Sequence, residues 1–217
     1  MTHCEINWEA VVSQPFAENS FIISQTGNDQ CLVVDPGFEP DKIKAVLHER
    51  QLRPVAILNT HGHSDHIAGN AFMKEHWPTI PLIIGAKEAE KLTDPTKNLS
   101  ANYGIGLVSP EADQLVNEGD VLELAGIRLE VLETPGHSAG HVVFLHREGE
   151  TWTLIGGDVL FRQGVGRTDF PDGDTDQLVY SIQHKLYTLA DSTVVLTGHG
   201  PETTIGFEKA NNPFVRA

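Results

Sequence analysis

Three histidines and an aspartate fall within one short stretch, His61-Gly62-His63-Ser64-Asp65-His66. Imidazole nitrogens and carboxylate oxygens at this density are a donor set that suits zinc, iron or manganese. On an α-helix, residues two apart point to nearly opposite sides, so His61 and His63 could not share an ion there. In an extended segment, positions 61, 63 and 65 share one side. The stretch is therefore expected on a loop, with Asp65 and His66 opening the next helix. Asp65 also has the side chain of a helix cap, which is its purely structural role.

Ligands on one loop cannot easily encircle two ions, so further ligands should come from polar residues at the ends of other strands. His137 in "ETPGHSAGH", Asp158 in "LIGGDVLF" and His199 in "VVLTGHGP" each follow apolar strand residues and stand beside glycine. Glycine lets backbone and ion approach closely. One histidine in a Gly-containing turn would mean little; three such positions together with the cluster point to a metal centre. His3, His48, His76, His146 and His184 fit no ligand pattern and are expected on the surface.

These positions need elements to hold them. Segments 5–12, 19–26 and 30–37 read as strands, with a turn at "GND". Residues 39–52 read as a helix with Ile43, Val46 and Leu47 at helical spacing, and 54–60 as a buried strand that leads into the histidine cluster. Residues 66–77 read as a helix, 81–85 as a strand, 86–92 as a short helix and 93–118 as loop. Strands follow at 120–126, 127–136, 141–148 and 151–161. A helix over 174–190 carries Leu178, Ile182, Leu186 and Leu189 on one face. A strand at 192–200 and a short helix at 203–210 close the chain. The pattern predicts two sheets packed face to face with helices outside, an α/β fold over residues 1–217 as one domain.

Composition bounds the partners. The 217 residues carry a formal net charge of −15, which argues against broad contact with nucleic acid, where phosphate neutralisation supplies much of the affinity. No run of about 18 apolar residues predicts a membrane span. The N-terminus has no basic region followed by an apolar core, so no signal peptide is expected. Cys4 and Cys31 form neither a CxxC pair nor a disulfide framework, and a cytoplasmic setting is expected. Nothing in the sequence fixes an oligomeric state.

The "HGHSDH" run, the later His137, Asp158 and His199, and "VDPG" at 34–37 together resemble the metallo-β-lactamase superfamily. Within it, "GVGRTDFPDGD" at 164–174 and "GHGPETTIGFEKANNPF" at 198–214 are most similar to the short bacterial glyoxalase-II-like hydrolases. The resemblance spans nearly the whole chain. It implies an αββα sandwich of two mixed β-sheets with the site at one edge. By motif position it implies that His61, His63 and His137 hold a first divalent ion, that Asp65, His66 and His199 hold a second, and that Asp158 bridges both. Zinc is the expected metal, with iron or manganese as the other candidates. Asp35 and His141 are expected behind the ligands rather than among them: a ligating histidine needs an acceptor on its other nitrogen. For Asp35 the competing role is an ordinary turn residue in "DPG".

The chemistry implied is hydrolysis. Water shared by two cations loses a proton near neutral pH, and the hydroxide can attack a carbonyl. A thiol, with a reference pKa of about 8.5, then leaves as thiolate without a general acid. The expected substrate is a small acyl-thiol, S-lactoylglutathione or a similar glutathione conjugate, with Asp65 and Asp158 as the catalytic carboxylates. Arg167 in "GRTDF" matches a basic residue that contacts glutathione in related enzymes. Two features depart from the longer glyoxalase II enzymes: few residues follow His199 where those enzymes have a helical domain with basic glutathione contacts, and Pro201 stands where they have a tyrosine. "GRTDF" also occurs in mononuclear-iron persulfide dioxygenases, which would use His61, His137 and Asp158. Those enzymes tend to have Cys where this chain has His141. A non-catalytic metal-dependent binding module is a third reading.

Overall fold

The computed structural model describes residues 5–217; His3 and Cys4 lie outside the described residues. The first half of the chain forms β1 (Ile6–Ser13), β2 (Glu18–Gln25), β3 (Gln30–Val34), α1 (Pro40–Glu49), β4 (Arg53–Asn59), α2 (Ser64–Ile67), α3 (Asn70–His76), β5 (Leu82–Gly85), α4 (Ala89–Thr93) and β6 (Gln114–Val116). Its strands build one sheet in the order β1-β2-β3-β4-β5-β6, antiparallel up to β3 and parallel from there on. The second half forms β7 (Val121–Leu124), β8 (Ile127–Glu133), β9 (Val142–His146), β10 (Thr153–Gly157), β11 (Leu160–Phe161), β12 (Gly164–Val165), α5 (Thr175–His184), β13 (Val194–Thr197), β14 (Thr203–Thr204) and α6 (Ile205–Asn211). Its main sheet runs β14-β13-β10-β9-β8-β7. Each half of the sequence thus supplies one sheet.

Period-two alternation sorts the apolar residues into layers. In β3 and β4, Leu32, Val34, Ala56 and Leu58 point into the core between the sheets, where they meet Leu129, Val142, Phe144, Ile155 and Leu196 of the second sheet. Their neighbours Cys31, Val33 and Ile57 point the other way and are covered by Ile43 and Leu47 of α1 and Met73 of α3. Leu145, Leu154 and Val195 are covered in the same way by Leu178 and Ile182 of α5 and Ile205 of α6. Strands buried on both faces read as continuous apolar runs, as these do. The architecture is the αββα sandwich, and no helix of the described residues is long and apolar enough to cross a membrane.

The topology gathers one edge. β10 is parallel to β13, and β8 and β10 are each antiparallel to β9, so β8, β10 and β13 run the same way. Their carboxyl ends lead to His137, Asp158 and His199, and the carboxyl end of β4 leads to His61.

Several expectations change in detail. The helix expected over 66–77 is two short helices, because the backbone of Gly69 docks on the "DPG" loop. Gly69 N–H donates to Pro36 O at 2.7 Å, and a Cβ there would lie 2.9 Å from the carbonyl oxygens of Pro36 and Gly37. The stretch read as loop over 93–118 ends in β6, an edge strand too short to show alternation. The strand expected over 151–161 stops at Gly157, and the helix expected to reach 190 ends at His184 with a 3-10 turn beyond. His146 is not a surface residue: it is only 2% exposed, because alternation along β9 puts it on the same inward face as Val142 and Phe144, and its Nδ1–H donates to Arg128 O at 3.0 Å. His48, His76 and His184 are exposed as expected.

Candidate metal centre

β4 ends on buried Asn59, and the loop after it begins with buried Thr60 and turns into α2 at Ser64, so His61 and His63 lie on extended backbone and Asp65 and His66 on the first helical turn. Beneath this loop lies Asp35, the residue after β3, in a left-handed conformation at φ 47° that aspartate tolerates better than most residues. Its Oδ1 accepts from Thr60 N–H at 2.8 Å, and its Oδ2 accepts from Thr60 Oγ1 at 2.7 Å and from His66 Nδ1–H at 3.1 Å. Asp35 is therefore no idle turn residue; it braces the loop from below.

Hydrogen bonds of this kind fix the ring orientations. Thr60 Oγ1 gives its proton to Asp35, so it accepts from His61 Nδ1–H at 3.0 Å. His137 Nδ1–H donates to Arg167 O at 2.8 Å, and His199 Nδ1–H donates to Phe16 O at 3.1 Å. In all four histidines 61, 66, 137 and 199 a proton sits on Nδ1, and Nε2 is aimed inward.

The inward atoms converge. Ligand atoms of His61, His63 and His137 lie within 4.8 Å of one another, as do those of Asp65, His66 and His199, and those of His61, His66 and Asp158. Asp158 stands between the groups, with Oδ1 3.4 Å from His66 Nε2 and Oδ2 3.4 Å from His199 Nε2 and 3.6 Å from His137 Nε2. Gly157 makes this approach possible: at φ 48° it turns the chain at the end of β10, and a Cβ would lie 2.4 Å from Thr60 Oγ1. His141 does not face the centre. It stacks on the His61 ring, its Nδ1–H donates to Thr134 Oγ1 at 3.0 Å, and its Nε2 accepts from Asp158 N–H at 3.1 Å, so it holds Asp158 from behind.

These donors fit a metal ion on their own chemistry. His61 Nε2, His66 Nε2 and Asp158 Oδ1 are buried and have no hydrogen-bond partner. A buried polar atom without a partner costs about 1–3 kcal/mol, so a cluster of them calls for a cation. His63 Nδ1 lies 2.9 Å from the His137 Nε2 lone pair, a contact that requires a proton or a cation between them. Burial holds His61, His63 and His141 well below the usual histidine range, and crowding by neighbouring imidazoles adds to it. Neutral imidazole is the ligating form. His66 and His199 go the other way: burial pushes both down, but the carboxylates of Asp158 and Asp65 outweigh it, and His199 is raised to about 10. Asp158 is pulled well below the carboxylate range against its own burial by His66, His199 and His137.

A cavity of about 290 Å³ opens over the cluster. His63, Asp65, Asp158 and His199 form its floor, and Phe16, Leu99, Tyr103, Phe161 and Phe170 supply most of its wall. Arg167 is at the mouth, stacked 4.5 Å over Phe170, with Nε and Nη2 each 2.6 Å from a carboxylate oxygen of Asp169. Its guanidinium is thus already engaged, although both partners of the pair are exposed. The supporting contacts from Thr60, Thr134 and the carbonyls of Phe16 and Arg167 carry no sequence signature; a carbonyl is present at every residue.

Comparison with known proteins gives the same picture. A family model described as the metallo-beta-lactamase superfamily matches residues 13–199. The chain is 39% identical to a probable metallo-hydrolase, YqgX, of Bacillus subtilis, covering 97% of this chain and 98% of that protein. It is 34% identical to the hydroxyacylglutathione hydrolase GloC of Haemophilus influenzae, covering 98% and 99%. Among solved structures, the B3 metallo-beta-lactamase BLEG-1 superposes with a TM-score of 0.91 at 33% identity over 97% of this chain and 100% of that one. The di-iron-bound form of TTHA1623 superposes with a TM-score of 0.79 at 34% identity over 95% and 100%.

Proposed function

The chain belongs to the metallo-beta-lactamase superfamily, and we propose that it is a two-ion hydrolase of small acyl-thiols, S-lactoylglutathione or a similar glutathione thioester. It is an enzyme of the metallo-hydrolase kind. The observation that carries the hydrolase reading is the doubled ligand set under an open cavity: two clusters of three, each drawing on both sheets, with Asp158 between them. His61, His63 and His137 would hold one divalent ion, Asp65, His66 and His199 the other, and Asp158 both. Zinc suits the all-imidazole cluster, and the mixed carboxylate cluster also suits iron or manganese. The di-iron form of a 34% identical protein supports two ions on such a scaffold, and a hydroxyacylglutathione hydrolase of 34% identity supports the substrate class.

When bound, the ions would supply Lewis acidity, lowering the pKa of water and polarising a carbonyl. The chain's own residues do the rest. Asp65 and Asp158 face the centre with carboxylate oxygens that accept hydrogen bonds from the attacking water and orient it. The wall of Phe16, Leu99, Tyr103, Phe161 and Phe170 covers the reacting group on its apolar side and thins the water around it. Arg167 exchanges Asp169 for a substrate carboxylate at the mouth, an exchange between exposed partners in water. A thiolate leaves unaided, whereas the amine of a β-lactam calls for a proton donor, so a thioester suits the site better than a lactam does. A thiol-containing substrate and the two cysteines outside any CxxC pair support a cytoplasmic setting.

The alternative is a one-iron persulfide dioxygenase on His61, His137 and Asp158, and it leaves the Asp65, His66 and His199 cluster without a role. Asp65→Ala separates the two readings. It spares the three iron residues but takes the anionic ligand from the second cluster. Hydrolysis of S-lactoylglutathione is expected to fall by at least about tenfold, equivalent to about 1.4 kcal/mol in the barrier. Neither wild type nor variant is expected to consume oxygen with glutathione persulfide. Rapid oxygen uptake by the iron-loaded wild type, with thioesters left intact, would replace the hydrolase reading with the dioxygenase. A β-lactam in the same panel tests the remaining class.

A further inference from the structure

Glu88 stands just before α4, fully buried, and is not among the candidate ligands. Its Oε2 accepts from Gly62 N–H at 2.8 Å, the peptide between His61 and His63. Its Oε1 accepts from Gly140 N–H at 2.8 Å and from Ser138 Oγ at 2.5 Å, in the loop that begins with His137. One carboxylate therefore holds both loops that carry the all-imidazole cluster. Lys91, three residues on, is 7% exposed and contacts Glu88, Ser138 Oγ and Asp172, with Nζ 3.1 Å from Glu88 Oε2 and 2.5 Å from Asp172 Oδ2. Asp172 Oδ2 also accepts from Ala139 N–H at 3.2 Å.

Asp172 belongs to a third loop, the one whose Arg167 carbonyl takes the Nδ1 proton of His137 and whose Phe170 ring lies 4.9 Å from the His63 ring and 5.6 Å from the His137 ring. The three loops around this cluster thus meet on one Glu–Lys–Asp chain, buried at Glu88 and Lys91. By contrast, among the described residues no hydrogen bond or ion pair runs directly from Glu88 or Lys91 to Asp65, His66 or His199. Those are braced by Asp35, by their neighbours and by the Phe16 carbonyl.

We propose that Glu88, Lys91 and Asp172 are positioning residues for the first ion site alone: they set the spacing of His61, His63 and His137 and tie it to the loop that lines the substrate cavity. The inference rests on the two-ion reading. A buried carboxylate with four donors is a rigid clamp, because losing either oxygen strands a buried N–H group, that of Gly62 or that of Gly140, and frees one loop from the other. Hydrogen-bonded residues behind metal ligands typically change ion affinity by 10–100-fold when replaced.

The test is zinc binding to chelator-stripped full-length protein, measured in competition with a chromophoric chelator. The step that His199→Ala removes is the second-site step, and the step that remains is the first. Glu88→Gln is expected to weaken the first-site step by at least tenfold and leave the second within threefold. Asp172→Asn, at the half-exposed end of the chain, is expected to weaken the same step by about threefold and to melt like the wild type without metal; it carries the test if Glu88→Gln does not fold. Either folded variant with both steps at wild-type affinity overturns the proposal. So does an equal loss at both sites, or a lower melting temperature with ion binding unchanged, which would make the chain a structural support only. A wild type that binds fewer than two ions instead refutes the two-ion reading beneath it.

Discussion

Asp35→Asn attacks the brace of the metal loop without touching a candidate ligand. The carboxylate takes three protons, from Thr60 N–H at 2.8 Å, Thr60 Oγ1 at 2.7 Å and His66 Nδ1–H at 3.1 Å. Asparagine keeps one acceptor oxygen. If that oxygen stays on the Thr60 amide, the new NH2 group faces two donors, Thr60 Oγ1 and His66 Nδ1–H. Each lost hydrogen bond to a charged group is worth about 1.5–3 kcal/mol, so the buried site loses about 3–6 kcal/mol at most. Much of that loss falls equally on the ion-free and ion-loaded protein and does not appear in ion affinity. What does appear is the cost of re-aiming His66, whose Nδ1–H no longer has a fixed acceptor. We expect the Asp65–His66–His199 site to weaken by about 10–100-fold, or about 1.4–2.8 kcal/mol. Zinc titration against a chromophoric chelator reads this directly. Thr60→Val is the companion variant. It leaves Asp35 on His66 but removes the hydroxyl that accepts from His61 Nδ1–H, so the loss should move to the site of His61, His63 and His137. Equal affinities in wild type and Asp35→Asn, or the same site weakened by both variants, would refute the account of how the rings are aimed.

Replacing His61 or His137 with alanine is expected to remove most bound metal and nearly all thioester hydrolysis, measured by metal analysis and turnover; a near wild-type rate in either variant would show the site is misassigned. Arg167→Ala is expected to raise KM about tenfold with little change in kcat, the signature of a contact equally strong in ground and transition states. An unchanged KM would leave Arg167 as the exposed partner of Asp169. The ion-free protein should lose stability as pH rises. His199 has its folded-state pKa raised from 6.5 to about 10, so between those values the native state holds a proton that the unfolded chain has released. Its contribution is complete below about pH 6.5 and is lost as pH climbs toward 10, and urea midpoints of chelator-stripped protein should fall across that window. Zinc affinity at the same cluster should rise over the same range, since the proton must leave before the ion enters. A midpoint independent of pH would show that His199 is not held in this way.

The sequence carried much of this site because ligands and strands leave strong local signals. His61 and His63 could share an ion only on extended backbone, and the structure puts them there, with Asp65 and His66 on the first turn of α2. The runs around Leu32, Ile57, Val143 and Leu154 were legible as strands because both faces are buried, one against the facing sheet and one against helices. What escaped has equally physical reasons. β6 is too short for a period to register, and the break between α2 and α3 depends on Gly69 meeting a loop more than thirty residues earlier. His146 looks polar and sits deep, because position along β9 decides its side. Glu88 and Lys91 belong to an ordinary-looking "AKEAEKL" helix, and their partners lie 26 to 81 positions away in the chain. Only tertiary contact makes them a clamp.

The division of the chain between the two sheets bears on how the site works. His61, His63, Asp65 and His66 come from the first sheet, while His137, Asp158 and His199 come from the second. Each candidate ion site therefore takes ligands from both, and neither half of the chain can complete one alone. Only the contacts that cross between the sheets can hold the two halves in register at this edge. Glu88 reaches from the first sheet's helical layer to Gly140, Asn19 N–H donates to Gly198 O at 2.7 Å, and Val142 N–H donates to Thr60 O at 2.9 Å. An ion bound at either site would be one more such crossing, so residues that align the sheets would act on ion binding through the spacing of the candidate ligands.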